Sequence, residues 1–161
     1  MNVSCSWKQP GTLFFVLLPD LPFSSLGLPV NSTAETRTAR GDDLSHSVLS
    51  AAFKVHTALG PGVLESAYEA CLCHELTKGS IPFRRQVTMP IRYDGFLIDC
   101  GFRADLLVDE RLIVEIKAVE HLLDVHERQL ATYLRASGLR AGLLINFHVS
   151  HLKEGIRRIM K

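Results

Sequence analysis

The chain lacks a run of about eighteen apolar residues, so no segment is long and apolar enough to cross a bilayer as a helix. It also lacks any Cys-x-x-Cys pair. Its four cysteines, at positions 5, 71, 73 and 100, form no regular framework and read as free thiols of a reducing, cytoplasmic compartment. Cys71, Cys73 and His74 do not make a metal site, because helical residues two apart point to nearly opposite sides and the two thiols cannot share one ion. Charge of one sign is missing too. Eighteen basic residues against seventeen acidic leave a formal +1, so any contact with a polyanion would need a local patch. No internal repeat is present. What remains is a 161-residue chain, 47% hydrophobic and 22% charged, which is enough for one globular domain with a real core.

The first 41 residues stand apart. The apolar stretch "LFFVLL" is short, Pro19-Asp20 follows it directly, and no A-x-A cleavage site comes after, so a secretory signal is poorly supported. Pro22, Pro29 and a Ser/Thr-rich tail complete a segment without periodicity. It reads as a disordered extension, or as upstream sequence included by a mistaken start, and is left out of the expected domain at 42–161.

From Asp42 the pattern becomes helical. Leu44, Val48, Ala51, Ala52, Val55 and Leu59 share a face behind an N-cap at Asp42 or Asp43, and Gly60-Pro61-Gly62 ends the helix. A second helix to Gly79 carries Leu64, Ala67, Tyr68, Cys71, Leu72 and Leu76 inward, so the two should pack as a hairpin. The period then switches to two. "PFRRQVTMPIRY" and "FLIDCGFRADLLV" flank Asp94-Gly95, a strong hairpin signal, and "DER" turns into "LIVEIKAV". A helix over "DVHERQLATYLRASG" with Val125, Leu130, Tyr133 and Leu134 inward follows, and then a wholly apolar strand, "RAGLLINF". "SHLKEGIRRIMK" is expected to close the chain as an amphipathic helix over the sheet.

One strand carries charge where its neighbours forbid it. In "RLIVEIKAV", Leu112, Ile113, Val114 and Ile116 describe an interior strand, yet Glu115 and Lys117 interrupt it on one face. Burying a carboxylate and an ammonium is costly unless each finds a partner. With Asp109-Glu110-Arg111 as a three-residue loop, Asp105 falls opposite Glu115, and two carboxylates about 5 Å apart at Cβ call for a cation between them. Oxygen ligands favour Mg²⁺ or Mn²⁺ over zinc. Lys117, two residues on, is placed to act on a water held by that metal. A two-residue loop would turn Asp105 away and remove the site. The bland reading of Glu115 and Lys117 is a solvated face with a weak salt bridge.

At this point a family comes into view. Asp105, nine residues, then Glu115-Ile116-Lys117 resembles the D-x(n)-E-x-K core of the PD-(D/E)XK nuclease superfamily, with Ala104 where the family name has proline. "LGPGVLESAYEACL" is similar to the signature of the small bacterial GxxExxY proteins, with Gly62, Glu65 and Tyr68 at its fixed positions. "QVTMPIRYDG", "RADLLVDERLIVEIKAV" and "QLATYLRASGLRAGLLINF" also match in order and spacing. The resemblance spans about Leu44 to Ile159.

It implies an α/β fold with a restriction-endonuclease-like core: a mixed four-stranded sheet flanked by helices, with an N-terminal helical hairpin. It also implies hydrolysis of phosphodiester bonds in nucleic acid, DNA ahead of RNA, with Mg²⁺ or Mn²⁺ as cofactor and no membrane partner. By the same resemblance the metal ligands would be Asp105, Glu115 and the Ile116 carbonyl, with Glu65 as the helical carboxylate of exonuclease-like branches. Lys117 would be the catalytic lysine, and Gln129 and Tyr133 the Q-x-x-x-Y element, sharing a helical face at i and i+4. Taken alone, Glu65 would be a solvated helix carboxylate and Tyr133 a core aromatic. The arginines at 84, 85, 92, 128, 135, 140, 157 and 158, with Lys161, are candidate phosphate contacts or simply solvated surface. A nucleic-acid-binding protein that no longer cleaves, or an interaction module stabilised by an ion-pair network, stays open beside the enzyme.

Overall fold

The structure, a computed structural model, describes residues 34–161, with side chains from Asp43 onward except those of Arg92 and Cys100. The expectation for the N-terminal extension lies largely outside the described residues. The first helix nevertheless begins inside it, because α1 runs Ala34–Leu59 and Asp42 and Asp43 are interior to it rather than N-caps. Leu44, Val48, Ala51, Ala52 and Val55 form its buried stripe.

α2 (Glu65–Lys78) follows across the glycine turn. Gly60 and Gly62 take φ of 66° and 103°, the left-handed range where a Cβ is strained. Tyr68 locks this turn: its hydroxyl donates to the Gly60 carbonyl at 2.6 Å and accepts from the Val63 N–H at 3.1 Å. Its ring is fully buried and stacks on Phe147, centroids 4.6 Å apart. Leu64 is exposed, against expectation, because it caps the helix instead of belonging to it, and Cys73 is buried more deeply than Cys71.

A single sheet takes the rest of the chain, in the order β1 (Phe83–Tyr93), β2 (Phe96–Val108), β3 (Leu112–Lys117), β4 (Ala141–Asn146), β5 (Ile156–Met160). β1 and β2 close on Asp94-Gly95, both at positive φ, as a two-residue hairpin turn requires. β3 pairs antiparallel with β2 and parallel with β4, and α3 (Asp124–Ser137) makes the crossover. α3 stops at Gly138, φ 74°, a left-handed C-terminal residue. Leu130, Tyr133 and Leu134 face the sheet, whereas Val125, in the first turn, is exposed.

Among the described residues the sheet has five strands, not the expected four, because the C-terminal segment is not a helix. Leu152–Gly155 is one 3₁₀ turn, and Ile156–Met160 then pairs antiparallel with β4, from Ile145↔Ile156 to Ala141↔Met160. At Gly155 the chain passes too close to the Asn146 carbonyl oxygen for a Cβ to fit. The apolar β4 would otherwise leave a backbone edge without partners.

Two cores result. α1 and α2 cover one face through Leu106, Val108, Leu112, Val114, Ile116, Leu143 and Ile145. α3 covers the other through Ala104, Leu107, Ile113 and Leu144. β1 and β2 change sides between these cores. Phe83, Leu106 and Val108 belong to the α1/α2 core, but Val87, Met89, Phe102 and Ala104 belong to the α3 core. The hairpin register stays the same across that step, from Arg85↔Leu106 to Val87↔Ala104. The inversion falls at Gln86 and Asp105, and Gln86 carries it with φ 49°.

Candidate active site

The site forms where β2 and β3 part. Their ladder runs Val108↔Leu112, Leu107↔Ile113, Leu106↔Val114 and then stops. The loop has the three residues that this register requires, with Asp109 and Glu110 in left-handed conformations of φ 49° and 51°. One step further on the same register Asp105 stands opposite Glu115. There the Asp105 side chain takes over from the ladder, as its Oδ2 accepts the Ile116 N–H at 2.8 Å.

Glu115 is 2% exposed. Its Oε1 accepts from Lys117 Nζ at 2.9 Å and from Gln129 Nε2 at 3.3 Å. Its Oε2 is buried and has no hydrogen-bond partner among the described residues. Burial first, and then the charge of Asp105, push the Glu115 carboxyl up to about 7 despite the opposing Lys117. Asp105 is raised as well, chiefly by burial, against the Ile116 N–H and the Lys117 charge. For Lys117 burial pulls the other way, but the hydrogen bond to Glu115 and the charges of Glu115, Asp105 and Glu65 hold its ammonium above the ordinary lysine range. Both carboxyls rise chiefly because burial disfavours their charge, while the carboxylates around Lys117 keep its ammonium charged.

α3 supplies the lid of this cluster. Gln129 Nε2 also donates to the Tyr133 hydroxyl, and the Tyr133 ring packs against Phe102 with centroids 5.1 Å apart. Burial raises the Tyr133 hydroxyl, so it stays protonated. Gln129 therefore touches the Glu115 carboxylate directly, and Tyr133 holds Gln129. Glu65 lies apart from the carboxylate pair. As the first residue of α2 its Oε2 accepts the Ala118 N–H at 3.2 Å, just past Lys117. Among the described residues no three His, Cys, Asp or Glu side chains come together as a ready metal cage.

Residues 42–159 match the PD-(D/E)XK nuclease superfamily. The chain belongs to that superfamily. A solved structure titled "Crystal structure of SSO0001" is similar at 18% identity and a TM-score of 0.47, over 78% of this chain. The present chain spans 61% of that one. No curated protein matches. Superfamily members bring a divalent ion to the D-x(n)-E-x-K carboxylates, and the residues present fit one. Among the described residues Glu115 Oε2 is buried without a hydrogen-bond partner, Asp105 stands beside it, and the ligands these two residues offer are carboxylate oxygens, which suit a hard divalent ion. An ion that keeps several of its own waters needs no third carboxylate.

Two participants escape a reading of the sequence. Glu69, 7% exposed on α2, accepts from Arg85 Nε at 2.7 Å and Gln86 Nε2 at 2.8 Å, and Gln86 Nε2 also lies 3.3 Å from Asp105 Oδ1. Glu69 sits four residues after Glu65, on the same helical face, and that spacing is the one signal the sequence offers. Of the arginines, Arg84 is paired with Glu110 at 2.7 Å and Arg157 with Glu127 at 3.6 Å.

Proposed function

We propose that this domain is a divalent-metal-dependent nuclease hydrolysing phosphodiester bonds, of the GxxExxY type that its glycine-turn and helix sequence resembles. One observation carries the reading: a carboxylate oxygen of Glu115, sealed from water and without a partner, beside a second carboxylate on the neighbouring strand. Structural buried carboxylates satisfy both oxygens, because an orphan costs about 1–3 kcal/mol or more. Asp105 and Glu115, with the Ile116 carbonyl, would hold Mg²⁺ or Mn²⁺. The bound ion supplies Lewis acidity toward a phosphoryl oxygen and lowers the pKa of its water.

The remaining work belongs to the chain. The Ile116 N–H and Gln86 hold the Asp105 oxygens in place. Gln129, braced by Tyr133, holds Glu115 Oε1 and makes no hydrogen bond to Oε2. Lys117 stays charged and lies within reach of the same carboxylate, where it orients the attacking water or stabilises charge developing on the phosphorane oxygens. Glu65 tunes that ammonium by charge across the end of β3.

The test is cleavage of a panel of labelled DNA and RNA substrates with Mg²⁺ or Mn²⁺, wild type beside Lys117→Ala. Wild type is expected to cleave only with metal. The variant should bind Mn²⁺ as wild type does yet lose about two to three orders of magnitude in rate, the size of a lost transition-state donor. Absence of cleavage and of Mn²⁺ binding by wild type would leave only the fold.

A further inference from the structure

Gln86 is a polar residue in the interior of a strand, with a backbone conformation that strands do not use. A non-glycine residue at φ 49° is strained, and such strain persists only where the surroundings over-determine it. The usual excuse, a register shift, does not apply, because the pairs on either side of Gln86 keep one register. What the distortion delivers is the side-chain amide. Gln86 lies opposite Asp105 in that register, and its Nε2 donates to Asp105 Oδ1 at 3.3 Å and to Glu69 Oε2 at 2.8 Å. Glu69 is itself buried and is anchored from its other oxygen by Arg85 Nε at 2.7 Å.

We propose that Gln86, fixed by Glu69 and Arg85, is the positioning residue of Asp105, holding that carboxylate in the rotamer that receives the metal. Both N–H groups of one amide are directed at carboxylates, so its orientation follows from its partners: the oxygen must point elsewhere. Asp105 Oδ1 is then held by Gln86 and Oδ2 by the Ile116 N–H. The carboxylate cannot rotate, and each oxygen keeps a lone pair for an ion. A charged donor here would neutralise Asp105 and compete with the metal; a neutral amide orients it and leaves its charge. Arg85, the available cation, is kept on Glu69 instead. Partners of this kind behind metal-binding carboxylates commonly account for ten- to hundred-fold in affinity.

This inference rests on Asp105 being a metal ligand, and the test separates the two. Mn²⁺ binding is measured by calorimetry for wild type, Gln86→Met and Gln86→Gly, with metal-free melting temperatures alongside. Methionine keeps the length and removes the donor. Glycine removes the donor and also relieves the left-handed strain, so this variant decides the matter if the methionine variant folds poorly. Both are expected to bind Mn²⁺ about ten-fold or more weakly. Their cleavage should need proportionately more Mn²⁺ yet approach the wild-type rate at saturation, a pattern that a general loss of structure would not give. Wild-type affinity in both variants overturns the proposal and leaves the nuclease reading standing. A wild type that binds no Mn²⁺ overturns both.

Discussion

β3 and β4 run side by side, parallel, and are buried along almost their whole length, yet only β3 carries charge. Glu115 is paired in register with Leu144, and Lys117 with Asn146. Leu144 shows what this layer of the sheet accepts by default, a fully buried aliphatic side chain. Asn146 shows how the fold treats a buried polar group it keeps for structure. Its Oδ1 accepts the N–H groups of Val119 and His148, and its Nδ2 donates to the Val119 carbonyl, so the amide is used from both ends and fastens the chain leaving β3. Glu115 is as deeply buried and leaves an oxygen with nothing. Burial of polarity is therefore not itself the sign of a site in this protein. Incomplete satisfaction is.

Transplanting the charge would break the comparison most violently. Leu144→Glu puts a second carboxylate beside Glu115 in the α3 core, where Lys117 and Gln129 are already held by Glu115. An uncompensated buried charge costs about 3–5 kcal/mol, so the variant should unfold at much lower urea or fail to fold. A urea midpoint within error of wild type would mean that the α3 face is wetter than its packing indicates, and the orphaned Glu115 oxygen would lose its significance.

A slightly smaller effect comes from titrating Glu115 where it stands. In the folded, metal-free protein its carboxyl is raised to about 7 from an ordinary 4.5. Below the lower value both folded and unfolded chains hold the proton. Between the two values the folded form keeps a proton that the unfolded chain has released. Stability is therefore highest at the acid end and is lost as pH rises through the window, by an upper limit of about 3 kcal/mol for a displacement of that size. Asp105 is raised too and contributes with the same sign. Urea unfolding in EDTA at pH 5 and pH 8 should show this fall, Glu115→Gln should flatten most of it, and millimolar Mn²⁺ at pH 8 should restore wild type by binding the folded form. Stability that climbs with pH in EDTA would contradict the reading.

Much of this contrast is legible in the amino-acid sequence. The turn of the β1–β2 hairpin can be read from Asp94-Gly95, although the pairing shifts between Met89 and Ile91, and the three-residue loop sets the register that places Asp105 opposite Glu115. Two features stay hidden, for different reasons. Ile156 and Ile159 sit three apart with arginines between, a spacing that imitates a helix, and only the open edge of β4 makes the segment a strand. Gln86 is hidden because nothing in its residue type announces a left-handed conformation; glutamine is not a turn residue. Its meaning comes from Glu69 and Asp105, which are near it only once the chain is folded.

The smallest expected effect sharpens the boundary of the site. Family resemblance makes Glu65 a metal ligand, yet its carboxylate accepts the Ala118 N–H instead of joining Asp105 and Glu115. In Glu65→Gln the side-chain oxygen can still accept that N–H, so the turn into α2 and its packing should survive with a stability change under about 0.5 kcal/mol. Only the charge toward Lys117 is lost. An ammonium facing one carboxylate fewer remains protonated at neutral pH, so cleavage should fall by no more than a few-fold and the Mn²⁺ requirement should not move. Asp105→Asn, by contrast, should abolish metal binding. A Glu65→Gln variant that lost Mn²⁺ affinity to the same degree would show the α2 glutamate swinging onto the ion, and would enlarge the site from two carboxylates to three.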